Sequence, residues 1–122
     1  MVYMTNSELL IMKCVWDYGG EIPMSQLIKD LAEKYNKSWK RTTVRTFITR
    51  LENKECLYTY RTGRNAFVQA LLRKEDFRTQ RAKQIVEFWY EGSALELVSY
   101  VFKNKEITDE EKGKVKRYLN EL

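Results

Sequence analysis

The sequence predicts a mostly α-helical chain with one small β-hairpin, on three observations. Apolar residues recur at helical spacing from Leu9 to Leu51 and again from Phe77 to Leu122. The period changes to two only between Cys56 and Gln69, and Ser/Thr capping signals open several of the helical runs. Thr5-Asn6-Ser7-Glu8 is a capping box, with Leu9, Met12, Val15 and Trp16 behind it, and Gly19-Gly20 stops a first helix of about residues 5–18. Pro23 suits the first turn of a second helix, whose inward stripe is Leu27, Ile28, Leu31 and Tyr35. After a connection over residues 36–39, Ser38 is placed to cap a third helix running to about Lys54, with Val44, Phe47, Ile48 and Leu51 turned inward.

The two strand-like runs, residues 56–61 and 65–69, join through Thr62-Gly63, where Gly63 supplies the positive φ of a tight turn. Three more helices follow. The first spans about residues 74–91 and ends at Gly92; Ser93-Ala94-Leu95-Glu96 and Thr108-Asp109-Glu110-Glu111 then open the other two as further capping boxes. Three short helices with a tight turn before the third, then a hairpin, form the winged helix-turn-helix pattern. The expected domains are therefore a winged-helix unit at residues 1–74 and a helical segment at 75–122.

Charge is concentrated in the middle of this plan. Residues 36–64 hold eight Lys/Arg against two acids, a net of +6, while the whole chain carries +5. These cations surround the third helix and the hairpin, which points to a polyanion as partner rather than to a merely solvated face. The exposed side of the third helix carries Arg41, Thr42, Thr46 and Thr49, flanked by Arg45 and Arg50. Short β-branched residues are mediocre helix formers, yet they suit a helix that enters a groove with its hydroxyls and methyls near base edges. Arg61 and Arg64 make the hairpin a wing that lies along a phosphate backbone.

Other classes lose support. The absence of His removes the commonest general base and metal ligand. Cys14 and Cys56 are too far apart for a zinc knuckle, and both lie in apolar patterns that suit buried thiols. No enzyme activity, metal or cofactor is expected. The start of the chain lacks a basic n-region and a cleavage signal, and no apolar run approaches the roughly 18 residues of a membrane span. A cytoplasmic protein is expected.

The chain resembles the penicillinase repressor family, which includes β-lactamase, methicillin-resistance and copper-responsive winged-helix repressors. The resemblance rests on Glu8, Ile11-Met12 and Val15-Trp16; on the run from Trp39 to Thr46 with Arg50-Leu51; and on Lys54 and Arg61-Thr62-Gly63-Arg64. It implies a homodimer that binds double-stranded DNA at a dyad-symmetric operator and represses transcription. Thr43, Arg45 and Thr46 then fall where the family's recognition helix faces the major groove, and Arg50, Arg61 and Arg64 match its backbone and wing contacts. With the residue chemistry added, the expected base-reading set is Thr43, Thr46, Arg41 and Arg45. The expected backbone set is Lys40, Thr42, Arg50, Lys54, Arg61 and Arg64.

The C-terminal helices carry more large apolar groups than about 45 residues readily bury. Trp89, Tyr90, Leu95, Val98, Val101, Phe102 and Leu119 are therefore the expected dimer interface. The chain departs from the family at three places: Glu55 follows Lys54 where Gly is usual, Tyr100-Val101 stands where an Asn-Phe bond is cut in the β-lactam-responsive members, and no Cys-rich tail is present. The inducing ligand, receptor or protease stays open. The alternative function is a winged-helix protein–protein adaptor with an acidic partner.

Overall fold

Thr5 starts the first helix as its sequence demands. In the computed structural model, which describes residues 2–104 and 107–122, α1 (Asn6–Asp17) opens with the full capping box. The Glu8 amide donates to Thr5 Oγ1 at 3.2 Å, and the Thr5 amide donates to Glu8 Oε1 at 3.3 Å. It closes through Gly19 and Gly20, whose amides donate to the Trp16 and Val15 carbonyls at 3.0 and 2.9 Å. Both glycines have φ above +90°, a conformation that excludes ordinary side chains.

The next segment corrects the expected hairpin-only sheet. Glu21–Pro23 forms a short strand, β1, before α2 (Met24–Tyr35), so Pro23 is the N-cap of α2 rather than a residue of its first turn. β1 pairs antiparallel with β3 (Asn65–Ala70), which also pairs with β2 (Leu57–Thr62), giving a three-stranded sheet of order β1-β3-β2. Three residues with one inward side chain, Ile22, are too short to show a period of two. The strand exists because Ile22 meets Val68 across the sheet and both are fully buried.

The third helix also starts later than expected. α3 spans Arg41–Asn53 with Lys40 as N-cap in extended conformation, and Ser38 caps nothing. Trp39 explains the shift. Its ring packs against Phe47 with centroids 5.0 Å apart, which holds residues 38–40 out of helix. Burying part of an indole outweighs one capping bond worth about 1 kcal/mol. Val44, Ile48 and Leu51 carry α3 into a core shared with Ile11, Met12 and Val15 of α1 and Leu27 and Leu31 of α2.

The chain forms two compact units, Met1–Thr79 and Gln80–Leu122. α4 (Lys74–Tyr90) lends its opening turn to the first core: Phe77 is buried with its ring 5.7 Å from that of Trp16, and Trp16 Nε1 donates to the Leu72 carbonyl at 2.9 Å. The second unit holds the rest of α4, α5 (Ala94–Asn104) and α6 (Asp109–Glu121). Ser93 Oγ accepts from the Glu96 amide and Thr108 Oγ1 from the Glu111 amide, so both hydroxyl caps form, while among the described residues the reciprocal glutamate bond of a full capping box is seen only at Thr5. No side chain of α5 or α6 is buried among the described residues.

Glu55 occupies a backbone position that glycine would fill without strain. Its φ is +60°, its amide donates to the Glu52 carbonyl, and the Cys56 amide donates to the Leu51 carbonyl, both at 2.9 Å. This is the Schellman arrangement that turns α3 into β2. Left-handed backbone costs a non-glycine residue about 1–2 kcal/mol, part of which the extra chain entropy of glycine offsets. Glu55→Gly should therefore stabilise the protein by about 0.5–1 kcal/mol, read as a higher urea midpoint at unchanged slope.

Candidate nucleic-acid interface

Helical spacing sorts the residues of α3 into three directions. Opposite the buried Val44, Ile48 and Leu51 lie Thr42, Thr46, Thr49 and Asn53, all exposed. The Thr46 and Thr49 hydroxyls donate back to the Thr42 and Arg45 carbonyls at 3.1 and 3.0 Å. Each hydroxyl proton is thus used, and what faces outward is methyl groups and acceptor lone pairs. Thr49, expected on the groove face though in neither contact set, lies there, and Asn53, which was not expected, joins it at the i+4 step from Thr49. Thr43 sits to one side, half-buried on the flank of Phe47 and Arg50, whose guanidinium lies 5.7 Å from the Phe47 ring centroid.

The opposite flank of α3 meets the hairpin. Glu52 Oε2 accepts from Thr59 Oγ1 of β2 at 2.8 Å, which holds the wing to the helix. Arg61 pairs across the hairpin with the buried Ala66, on the sheet face that turns toward α3. The result is a cleft of about 300 Å³ lined by Met24, Arg41, Thr42, Arg45, Arg61 and Ala66. Arg41 also borders a neighbouring cleft of about 390 Å³ with Arg64 and Asn65 at the hairpin tip. Lys40 is exposed at the N-cap of α3. Among the described residues, none of these five arginines (Arg41, Arg45, Arg50, Arg61, Arg64) forms an ion pair with a carboxylate. Their field is therefore available to an outside anion.

Lys54 is placed differently from the other cations. Its ammonium donates to Glu8 Oε2 at 2.7 Å, to Glu8 Oε1 at 3.0 Å and to the Tyr3 carbonyl at 2.8 Å. Glu8 is only 1% exposed. Burial by itself would raise its pKa, but bonds from Lys54 and from the Thr5 hydroxyl and amide, with the Lys54 charge, together hold the carboxyl below its ordinary value.

The outer face of the sheet stacks Tyr58, Tyr60 and Phe67, with ring centroids 6.0 and 5.3 Å apart along the series. Tyr60 is bonded to Glu21, which raises its pKa. Cys14 and Cys56 are free, fully buried thiols. Burial pushes Cys14 up to about 11 and raises Cys56 as well.

A three-helix core with an exposed Thr/Arg helix and a basic hairpin beside it defines a winged-helix DNA-binding regulator. The chain belongs to the penicillinase repressor family, whose profile matches residues 4–121; this is a family of transcriptional repressors, not of enzymes. It is 27% identical over 124 residues to the penicillinase repressor of Staphylococcus aureus, covering 98% of each chain. The solution structure of the DNA-binding domain of the repressor BlaI matches with a TM-score of 0.51 at 26% identity, over 60% of this chain and 85% of that one. The CopR repressor structure is 28% identical, covers 59% of this chain and 100% of that one, and has a TM-score of 0.46. Among the described residues no helix is long and apolar enough to cross a membrane.

Two outcomes follow from the ionisable groups. The Glu8 pKa lies lower in the folded chain than in the unfolded one, so unfolding takes up a proton at acid pH. The stability this group contributes is complete above the ordinary glutamate value of 4.5 and is lost as pH falls through the folded value. Urea midpoints from pH 7 to 3 should fall less steeply for Glu8→Gln than for the native chain. The raised thiols predict that iodoacetamide at pH 8 labels neither Cys14 nor Cys56 until the protein is unfolded, as mass spectrometry would show.

Proposed function

We propose that this chain is a homodimeric repressor that binds an inverted-repeat operator, one α3 in the major groove of each half-site. The observation that carries this reading is the convergence of Arg41, Arg45 and Arg61, without acid partners, on a cleft beside the exposed threonine face. In this reading Thr46 and Thr49 meet base edges, with Thr43, Arg41 and Arg45 at the groove margins. Lys40, Thr42, Arg50, Arg61 and Arg64 hold the phosphates on either side. An occupied operator excludes polymerase sterically, which requires no chemistry from the protein. In this reading the protein works in the cytoplasm, beside the DNA it binds.

The second unit supports the dimer. Phe88, Trp89 and Leu95 are 75%, 70% and 75% exposed, and Val98, Val101 and Leu119 are exposed with them. Tyr90 and Phe102 are half-buried, with the Tyr90 ring 6.0 Å from that of Tyr100. Phe88 joins the expected set on its exposure. A unit whose largest apolar groups face water is completed most economically by a second copy of itself.

Selection of bound DNA from a random pool tests the reading, and an inverted repeat is the expected product. Binding with no sequence preference would instead favour an adaptor for an acidic protein surface. Once the operator is known, Thr46→Gln should weaken operator binding far more than random-DNA binding. Arg61→Ala should weaken both and lower the slope of log affinity against log salt by about 0.9 for the lost phosphate contact. A fragment of residues 1–79 keeps the first core and should sediment as a monomer at micromolar concentration, where the full chain is a dimer.

A further inference from the structure

Lys54 stands at the end of the basic helix, where sequence alone suggests a phosphate contact, yet its ammonium is already engaged inside the chain. The Glu8 carboxylate grips it with both oxygens, and the Tyr3 carbonyl accepts a further bond, all within 3.0 Å. Glu8, for its part, is too deeply buried to reach any nucleic acid. The three groups come from separate places: the extended segment before α1, the first turn of α1, and the C-cap of α3.

Val44, Ile48 and Leu51 pack α3 against the core along its length, and the hydrophobic driving force behind that packing is itself non-directional. A charge-assisted bond network is directional. A helix of 13 residues is about 20 Å long, so a tilt of roughly 3° about one end moves the other by about 1 Å. Base recognition tolerates only about half of that. The same junction sets the wing, because Glu55 and β2 follow Lys54 directly.

We propose that Glu8 and Lys54 are positioning residues for sequence recognition, fixing the C-terminal end of α3 against α1 so that Thr46 and Thr49 meet base edges in register, without either residue touching DNA. The proposal rests on the DNA-binding reading above.

The test compares full-length native protein with Glu8→Gln, Lys54→Met and the double variant on the selected operator and on random DNA, across a salt series. Circular dichroism at the assay temperature establishes that each is folded. Positioning predicts that either single change lowers operator affinity roughly tenfold, about the cost of one base contact. Random-DNA affinity and the salt slope stay unchanged, and the double variant is no worse than the weaker single, because one unit has been removed twice. A pair that only stabilises the fold leaves the operator-to-random ratio of the folded variants unmoved, which overturns the proposal. So does a Lys54→Met variant that loses affinity for both DNAs and about 0.9 of salt slope, since Lys54 is then a phosphate contact. Lys54→Met strands a buried carboxylate; should it fail to fold, Glu8→Gln and the double variant decide by the same ratio. A native chain that prefers no sequence overturns the repressor reading, and this one with it.

Discussion

Glu8 does two jobs with one side chain, and the geometry of the basic helix depends on both. Through Oε1 it completes the cap that starts α1, and through both oxygens it holds Lys54 at the end of α3. A carboxylate this buried is tolerated only where it is paired and fully hydrogen-bonded. Both conditions are met here, and no buried side-chain polar atom among the described residues lacks a partner. The pair therefore adds a directional contact to the largely apolar packing of α3 against α1.

The remaining cations are used in the opposite way. Where Lys54 is neutralised inside the chain, the arginines around α3 and the hairpin are left without acid partners and gathered on one side. Self-repulsion of such a group lowers stability slightly, which makes sense only if an anion relieves it. The threonines between them add little charge and no bulk. The Thr46 and Thr49 hydroxyl protons are spent on the helix backbone, so these two present methyl groups and acceptor lone pairs. In the proposed reading, long-range attraction falls to the arginines and close-range reading to the threonines.

The two units solve the burial problem differently. The first closes a core around Ile11, Leu27, Ile48 and Val68, all fully inaccessible to water. The second keeps large aromatic and aliphatic groups at its surface, because three helices of 11 to 17 residues lack the volume to enclose them. In the proposed dimer this apolar surface is the one that meets its copy.

Much of this was legible in the sequence, because its signals are local. Capping boxes, paired glycines and a change of period from 3.6 to 2 act over four to eight residues, and they placed α1, the hairpin and the three later helices closely. The basic, threonine-rich character of α3 was equally plain. Only the tertiary structure decided the rest. β1 exists because Ile22 meets Val68 on a distant strand, and α3 starts at Arg41 because Trp39 turns back onto Phe47. Lys54 is set apart from the other cations by Glu8, 46 positions earlier. Sequence records what each residue is able to do, but which partner it finds depends on contacts that close only when the chain folds.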